Sequence, residues 1–212
     1  MYRIVFLISS SLLLLLGCSR QNAAVLPYYN TPDFTPHFIS VAAAKDSVPH
    51  TIANFSCIDQ NDKTITQQDV EGKIHIANFF FTACGSICPK MMSNLKTTYD
   101  QYKNDPSVVF LSFSVTPWRD SVEKLKAYAE NNEISTGNWH LLTGSKGDIY
   151  KLARTSYFAE EDLGFSKDSS EFLHTEHILL IDKSKRIRGI YNGTLQLETE
   201  QLAKDIAALK KE

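Results

Sequence analysis

Phe79-Phe80-Phe81-Thr82-Ala83-Cys84-Gly85-Ser86-Ile87-Cys88-Pro89 is the stretch that decides the fold. Just before the cysteines, residues 73–82 become continuously apolar, with Ile74, Ile76, Phe79, Phe80 and Phe81, the pattern of a strand buried on both faces. After them, residues 89–102 set Met91, Met92, Leu95, Tyr99 and Tyr102 at helical spacing, with proline in the first turn. A buried strand therefore hands over to a helix, and two cysteines stand at the handover. Spaced by four, both can face the same side of the helix's first turn. The free N–H groups and the positive dipole end there favour thiolate over thiol. Thiolate is the species that attacks disulfides and binds soft metals. The pair can close into a disulfide, and it can also open both sulfurs toward one ion.

Outward from this stretch the chain keeps alternating. Residues 52–58 read as a strand, and 64–70 with Gly72 as a turn-rich connection. Residues 108–115 are a second buried strand, 121–131 a helix, 139–142 a short strand and 146–155 a helix. Two strands, 174–181 and 186–191, flank a turn at 182–185. The helix 198–210 starts acidic and ends basic, as the macrodipole prefers. This order is α/β, a mixed sheet flanked by helices, and it matches the thioredoxin-like arrangement. Cys57, in the first strand, reads as a small buried hydrophobe.

The 212 residues suffice for one domain and a core that needs no disulfide lattice. Lys+Arg 22 against Asp+Glu 24 gives a net charge of −2 with no long run of one sign, which removes the footprint of a nucleic-acid binder. At 43% hydrophobic the chain is too apolar to be disordered throughout.

The N-terminus reads as an address. Arg3 precedes an apolar run over 4–16, interrupted by three serines and shorter than the about 20 residues a spanning helix needs. Leu15-Leu16-Gly17-Cys18 resembles a bacterial lipobox, in which the cysteine is lipidated and becomes the new N-terminus. Residues 1–17 are then a lipoprotein signal peptide. Residues 18–49, broken by Pro27, Pro32, Pro36 and Pro49, are a lipidated N-terminus and flexible tether. Residues 50–212 are the globular domain. This expectation places the domain on the periplasmic side of a membrane, where a cysteine pair can oxidise.

A metal site needs a third ligand, and imidazole is the usual candidate. His37 and His50 fall in the tether, His75 opens a strand and His140 sits beside Trp139; each reads as a surface or turn residue. Glu171-Phe172-Leu173-His174-Thr175-Glu176-His177 leads into a strand, where alternation turns positions 174 and 177 to opposite faces. Only one of the two can reach the cysteines unless a bulge intervenes.

Taken together, these residues resemble the Sco/SenC family, membrane-tethered copper proteins of cytochrome oxidase assembly. The resemblance runs from about residue 52 onward. It rests on Phe81-Thr82-Ala83-Cys84 with Cys88-Pro89, on Ser114-Val115-Thr116-Pro117-Trp118-Arg119-Asp120, on Trp139-His140-Leu141-Leu142-Thr143-Gly144, and on His174-Thr175 ahead of Asp182. It implies a thioredoxin-like fold and one copper held by Cys84, Cys88 and His174, the histidine chosen for its distance to Asp182. It also implies a membrane-anchored copper chaperone serving the copper-site subunit of cytochrome c oxidase or another copper protein. The alternative is a thiol-disulfide oxidoreductase that uses Cys84 and Cys88 without the histidine. Three departures from the family pattern stand out. Gly85 replaces a common proline, and Thr116 and Leu173 replace aspartates.

Overall fold

Four of the helices start where a serine or threonine side chain (Ser40, Thr66, Ser121 or Ser145) accepts an orphan N–H group, and the central strands end within a residue of where their apolar runs end. The computed structural model describes residues 25–134, 137–159, 173 and 175–212. The expected signal peptide, Cys18 and His174 lie outside these. In chain order the elements are β1 (Tyr28–Tyr29), β2 (Pro36–His37), α1 (Val41–Ser47), β3 (Ser56–Asp59), β4 (Thr64–Thr66), α2 (Gln67–Val70), β5 (Ile74–Phe80) and α3 (Ile87–Tyr102). There follow β6 (Val108–Ser114), α4 (Val122–Asn131), β7 (Trp139–Thr143) and α5 (Lys146–Lys151), which runs into a π-helical turn at Leu152–Ser156. The chain then adds β8 (His177–Ile181), β9 (Ile187–Asn192) and α6 (Gln196–Leu209).

One sheet carries nine strands in the order β2-β1-β9-β8-β5-β6-β7-β3-β4. β6 pairs parallel with both β5 and β7, and every other pairing is antiparallel. All residues of β5 and β6 are buried, as expected of strands with helices on both faces. Ile74, Ile76 and Phe80 pack on one face with Met91, Met92 and Leu95 of α3 and Leu202 and Ile206 of α6. Ala77, Phe79, Leu111 and Phe113 pack on the other with Ile149, Tyr150 and Tyr157. Each buried Ile, Leu, Met or Phe side chain among these contributes about 1.5–3 kcal/mol. Ser121 and Ser145 cap α4 and α5, and Thr66 and Asp69 form a capping box on α2.

A polar thread crosses this core. Trp139 Nε1 donates to Ser112 Oγ (2.9 Å), Ser112 donates to Asn78 Oδ1 (2.6 Å), and Asn78 Nδ2 reaches Met92 Sδ (3.4 Å). Every member is partnered, so the thread fixes register without the penalty of an orphaned buried group.

Several expectations need correction. The flexible tether over 18–49 does not extend through its second half. From Leu26 the chain lies on the sheet edge, with Tyr29 paired to Ile187 and Tyr28 and Val48 buried. His50, assigned to that tether, stacks on Phe158 at 4.3 Å and bonds the Ser156 carbonyl at 2.8 Å. His75 is 1% exposed, bonded to the Tyr157 hydroxyl, and held neutral by burial, its pKa pushed down to about 3. His140 is half-buried against Asp59 at 2.9 Å, tying β7 to β3. The expected strand 52–58 shortens to β3, the 64–70 connection contains β4 and α2, and the 146–155 helix loosens into a π turn.

Arg188 clamps the edge. Its side chain, 1% exposed, forks onto Glu212 (2.6 and 2.9 Å), meets Asp182 (3.3 Å) and the Leu26 and Pro27 carbonyls, and lies 3.9 Å from the Tyr28 ring. Arg188→Ala strands two carboxylates and two carbonyls, and is expected to cost about 3–5 kcal/mol in urea unfolding. Limited proteolysis of the variant should cut within 25–49, and Arg188→Lys should recover only part of the loss because it lacks the fork.

Candidate functional site

α3 has no side-chain cap from Ser86, the residue at its N-cap. A sulfur does that work: Cys84 Sγ accepts the Cys88 backbone N–H at 3.4 Å. The loop is pinned by Cys84 N–H to the Phe81 carbonyl at 3.2 Å. The structure thus puts only Cys88 on the first turn of α3; Cys84 lies in the loop just before the helix, and its sulfur rather than its backbone joins that turn, a correction to the expectation that both stand on it. Neither is bridged; Cys84 is half-buried and Cys88 buried.

The same geometry separates their acidities. Burial is the largest influence on Cys84 and raises its pKa, but hydrogen bonds from the Cys88 thiol and from the Ser86, Cys88 and Ile87 N–H groups outweigh it and bring it below the ordinary thiol value. For Cys88, burial comes first and donating to Cys84 adds to it, pushing its pKa up to about 12. Tyr128, packed against Phe80 at 5.4 Å, is raised to about 12 by burial and by the charges of Cys88, Cys84 and Asp120, so it stays a neutral phenol beside the pair. One nucleophilic sulfur therefore stands against one protonated sulfur.

The loop before Cys84 hangs on a buried carboxylate. Asp120, 0% exposed, accepts from Thr82 Oγ1 (2.6 Å), Thr82 N–H (3.2 Å), Ser114 Oγ (2.6 Å) and Thr116 Oγ1 (2.9 Å), and Lys124 Nζ lies 3.3 Å away. Burial alone would raise its pKa; the hydroxyl donors reverse that and hold it below the usual carboxylate value. Thr116, at a position where the family pattern has an acid, is thus a donor to Asp120. A second carboxylate there would face the first one.

Across the sheet end, Val115 N–H reaches the Phe80 carbonyl at 2.8 Å, and Tyr150 Oη donates to the Val115 carbonyl at 2.9 Å. The Leu173 backbone also bonds Tyr150, and the Leu173 side chain, fully buried, packs in the cluster holding Val115 and Tyr150. Leu173 is thus an apolar anchor directly before position 174. His177 opens β8 with its ring edge-on to Phe34 at 5.9 Å. Its neighbour Ile178 packs in the cluster that holds Cys88, so His177 takes the face away from the pair. Among the described residues, no group of three or more His, Cys, Asp or Glu side chains gathers at a point that could hold a metal.

Gly85 needs no special backbone, and an added Cβ there would meet nothing within 4 Å. Gly193 does need its smallness: a Cβ would lie 2.5 Å from Met91 Cγ and 2.8 Å from Ile178 Cδ1, behind the first turns of α3. Cys57 is buried in the opposite cluster as expected, pushed up to about 11 by burial and by Asp148. It lines a cleft of about 450 Å³ with Phe55, Ile149 and Leu152, away from the cysteine pair.

Two thiols at the N-terminal mouth of the helix after the central strand of a mixed sheet, one in the loop and one on the first turn, define a thioredoxin-like dithiol protein. The SCO1/SenC family model matches residues 43–211, and the chain belongs to that family. A SCO1/SenC family lipoprotein from Bacillus anthracis superposes with a TM-score of 0.65 at 31% identity, over 76% of this chain and 95% of that one. The SCO1 protein homolog of Bacillus subtilis is 27% identical over 76% of this chain and 84% of its own. ScoI of Bradyrhizobium japonicum, solved with copper bound, has a TM-score of 0.56 at 25% identity over 75% of this chain and 99% of that one.

Alkylation with iodoacetamide across pH should label Cys84 first, with an apparent pKa below that of an ordinary thiol. Cys88→Ala removes a donor to that sulfur and should move the profile upward, read by mass spectrometry. Equal rates at both cysteines would contradict the assignment. Asp120→Ala leaves three hydroxyls without their acceptor and is expected to lose about 3 kcal/mol in urea unfolding, with Asp120→Asn intermediate.

Proposed function

We propose that this protein is a copper carrier of the cell envelope, taking copper(I) as cargo on Cys84 and Cys88 and passing it to the copper-site subunit of cytochrome c oxidase or another copper protein. The observation that carries the reading is the thiol pair at the mouth of α3, with Cys84 Sγ accepting the Cys88 N–H, in a chain of the SCO1/SenC family. The copper-bound state of the Bradyrhizobium ScoI supports the choice of metal. Two thiolates and an imidazole are donors suited to copper(I). His174 is the third ligand in this reading. Two features favour it over His177: the anchoring of Leu173 beside it, and the turn of His177 toward Phe34. Cys88 must give up its proton to bind, so uptake releases protons and tightens as pH rises. Cys18 is proposed as the lipid anchor, with the folded part facing the periplasm. Among the described residues no helix is long and apolar enough to cross a membrane.

The split acidities favour a second reading, a thiol-disulfide oxidoreductase that keeps a partner's copper-binding cysteines reduced. Cys84 is the attacking thiolate and Cys88 the thiol that resolves the mixed disulfide.

Competition with a chromophoric copper(I) chelator should give one copper per reduced protein. His174→Ala should weaken binding by about tenfold or more, and loss of either cysteine should remove it. Absence of stoichiometric binding, or an unchanged affinity in His174→Ala, overturns the carrier reading. Disulfide reduction that survives His174→Ala and is lost with the cysteines supports the second.

A further inference from the structure

We propose that the β1–β2 edge of the sheet is a membrane-resting face, with Val25, Phe38 and Val41 seated in the lipid interface beside the Cys18 anchor. The inference deepens the anchor proposed above and rests on it, but not on the copper.

Of the seven large hydrophobic side chains exposed among the described residues, these three fall within one short stretch: Val25 is 61% exposed, Phe38 68% and Val41 60%. The fold brings them to one edge. β1 pairs with β2 through Tyr28 and His37, so residues 25–27 and 38–40 leave that pair side by side, and Val41 opens α1. Ile39 turns inward onto Tyr28, Ala44 and Val48, which turns its extended neighbour Phe38 outward. The backing is fixed: Arg188 holds the Leu26 and Pro27 carbonyls, and Arg186 those of Val48 and Lys45. Clustered exposed apolar side chains mark interaction surfaces.

Chain length selects the occupant. Only six residues, 19–24, separate Cys18 from Val25, and the seven steps between them span at most about 25 Å when fully extended. The nine-stranded sheet is about 38 Å across at about 4.8 Å per strand spacing, and β2 with β1 forms one edge of it. A lipid on Cys18 therefore keeps this edge against the bilayer and prevents the far edge at β4 from turning toward it. The anchor also raises the local concentration of lipid, so a small apolar face suffices. A phenyl ring and two valines suit the boundary between headgroups and acyl chains. Lys45 and Asp46 adjoin the patch and offset each other, so apolar contact rather than headgroup charge sets the binding. The end of β5 that leads to Cys84 lies three strand positions from β1, about 14 Å away, and stays open to a partner in the same membrane.

The test uses the full chain, lipidated at Cys18, in vesicles of phosphatidylcholine and phosphatidylglycerol (3:1), with dibrominated phosphatidylcholine as a contact quencher of indole emission. In a Phe38→Trp, Trp118→Phe variant, emission from position 38 should fall about twofold or more on bromination, because an indole seated about 5–10 Å into the interface meets the acyl chains. In the unsubstituted chain Trp118, which follows β6 and so lies four strand positions from β1, about 19 Å, should be unaffected. Adding Val41→Asp to the first variant should remove the quenching while the chain still floats with the vesicles. Unquenched emission at position 38, or equal quenching at Trp118, in a chain that carries the lipid and floats overturns the membrane face and leaves the anchor standing. No acyl mass on Cys18 and no flotation sinks the anchor reading, and the face with it. A dimer of residues 18–212 carrying Cys18→Ser, seen by light scattering and broken by Phe38→Asp, would assign the patch to a second copy and likewise overturn the proposal.

Discussion

The first turn of α3 is completed by a sulfur. A helix start normally borrows a hydroxyl or carboxylate oxygen to satisfy its free N–H groups, and here the Cys84 sulfur takes that place. Structure and reactivity are thus the same contact. The N–H groups that hold the loop in shape also stabilise negative charge on the sulfur. Because Cys88 lies one turn further and deeper, its thiol donates to that same sulfur and keeps its own proton.

What keeps the loop at the helix mouth is a second charge centre, the Asp120 carboxylate. Three hydroxyls, one N–H and a lysine satisfy it, so its burial costs little and its donors are drawn from three separate segments. The strand end that leads to Cys84, the end of β6 and the turn bearing Trp118 are fixed relative to one another through a single group. On the far side, Tyr150 joins Val115 to Leu173. The departures from the family pattern take on meaning in this frame. Thr116 adds a hydroxyl to a carboxylate already present, and Leu173 replaces a charge with an apolar anchor.

Much of this was legible from residue order. The continuous apolar runs of β5 and β6, the 3.6-residue pattern of α3 and the spacing of the cysteines are local signals, and the structure follows them. Cys57 likewise sits in the core. Long-range pairing was not legible. His75 and His140 read as surface residues because nothing beside them announces Tyr157 or Asp59, each of which lies 81 or more positions away. The proline-rich segment before residue 50 read as tether because its partner, Arg188, lies more than 160 positions further on. The role of Asp120 could have been suspected from its motif, yet its donors Thr82 and Ser114 belong to different strands' ends and give no periodic signal.

The buried thread beneath the site gives the molecule a built-in optical gauge. Trp139 is fully enclosed and bonded in series through Ser112 and Asn78 to Met92, on the turn of α3 just after Cys88, whereas the other tryptophan is largely in water. A small slide of that helix disturbs the hydrogen bond at one indole, and a change at the outer surface alters the other. Emission from the two rings, one blue and one red, therefore separates events inside the fold from events on its face.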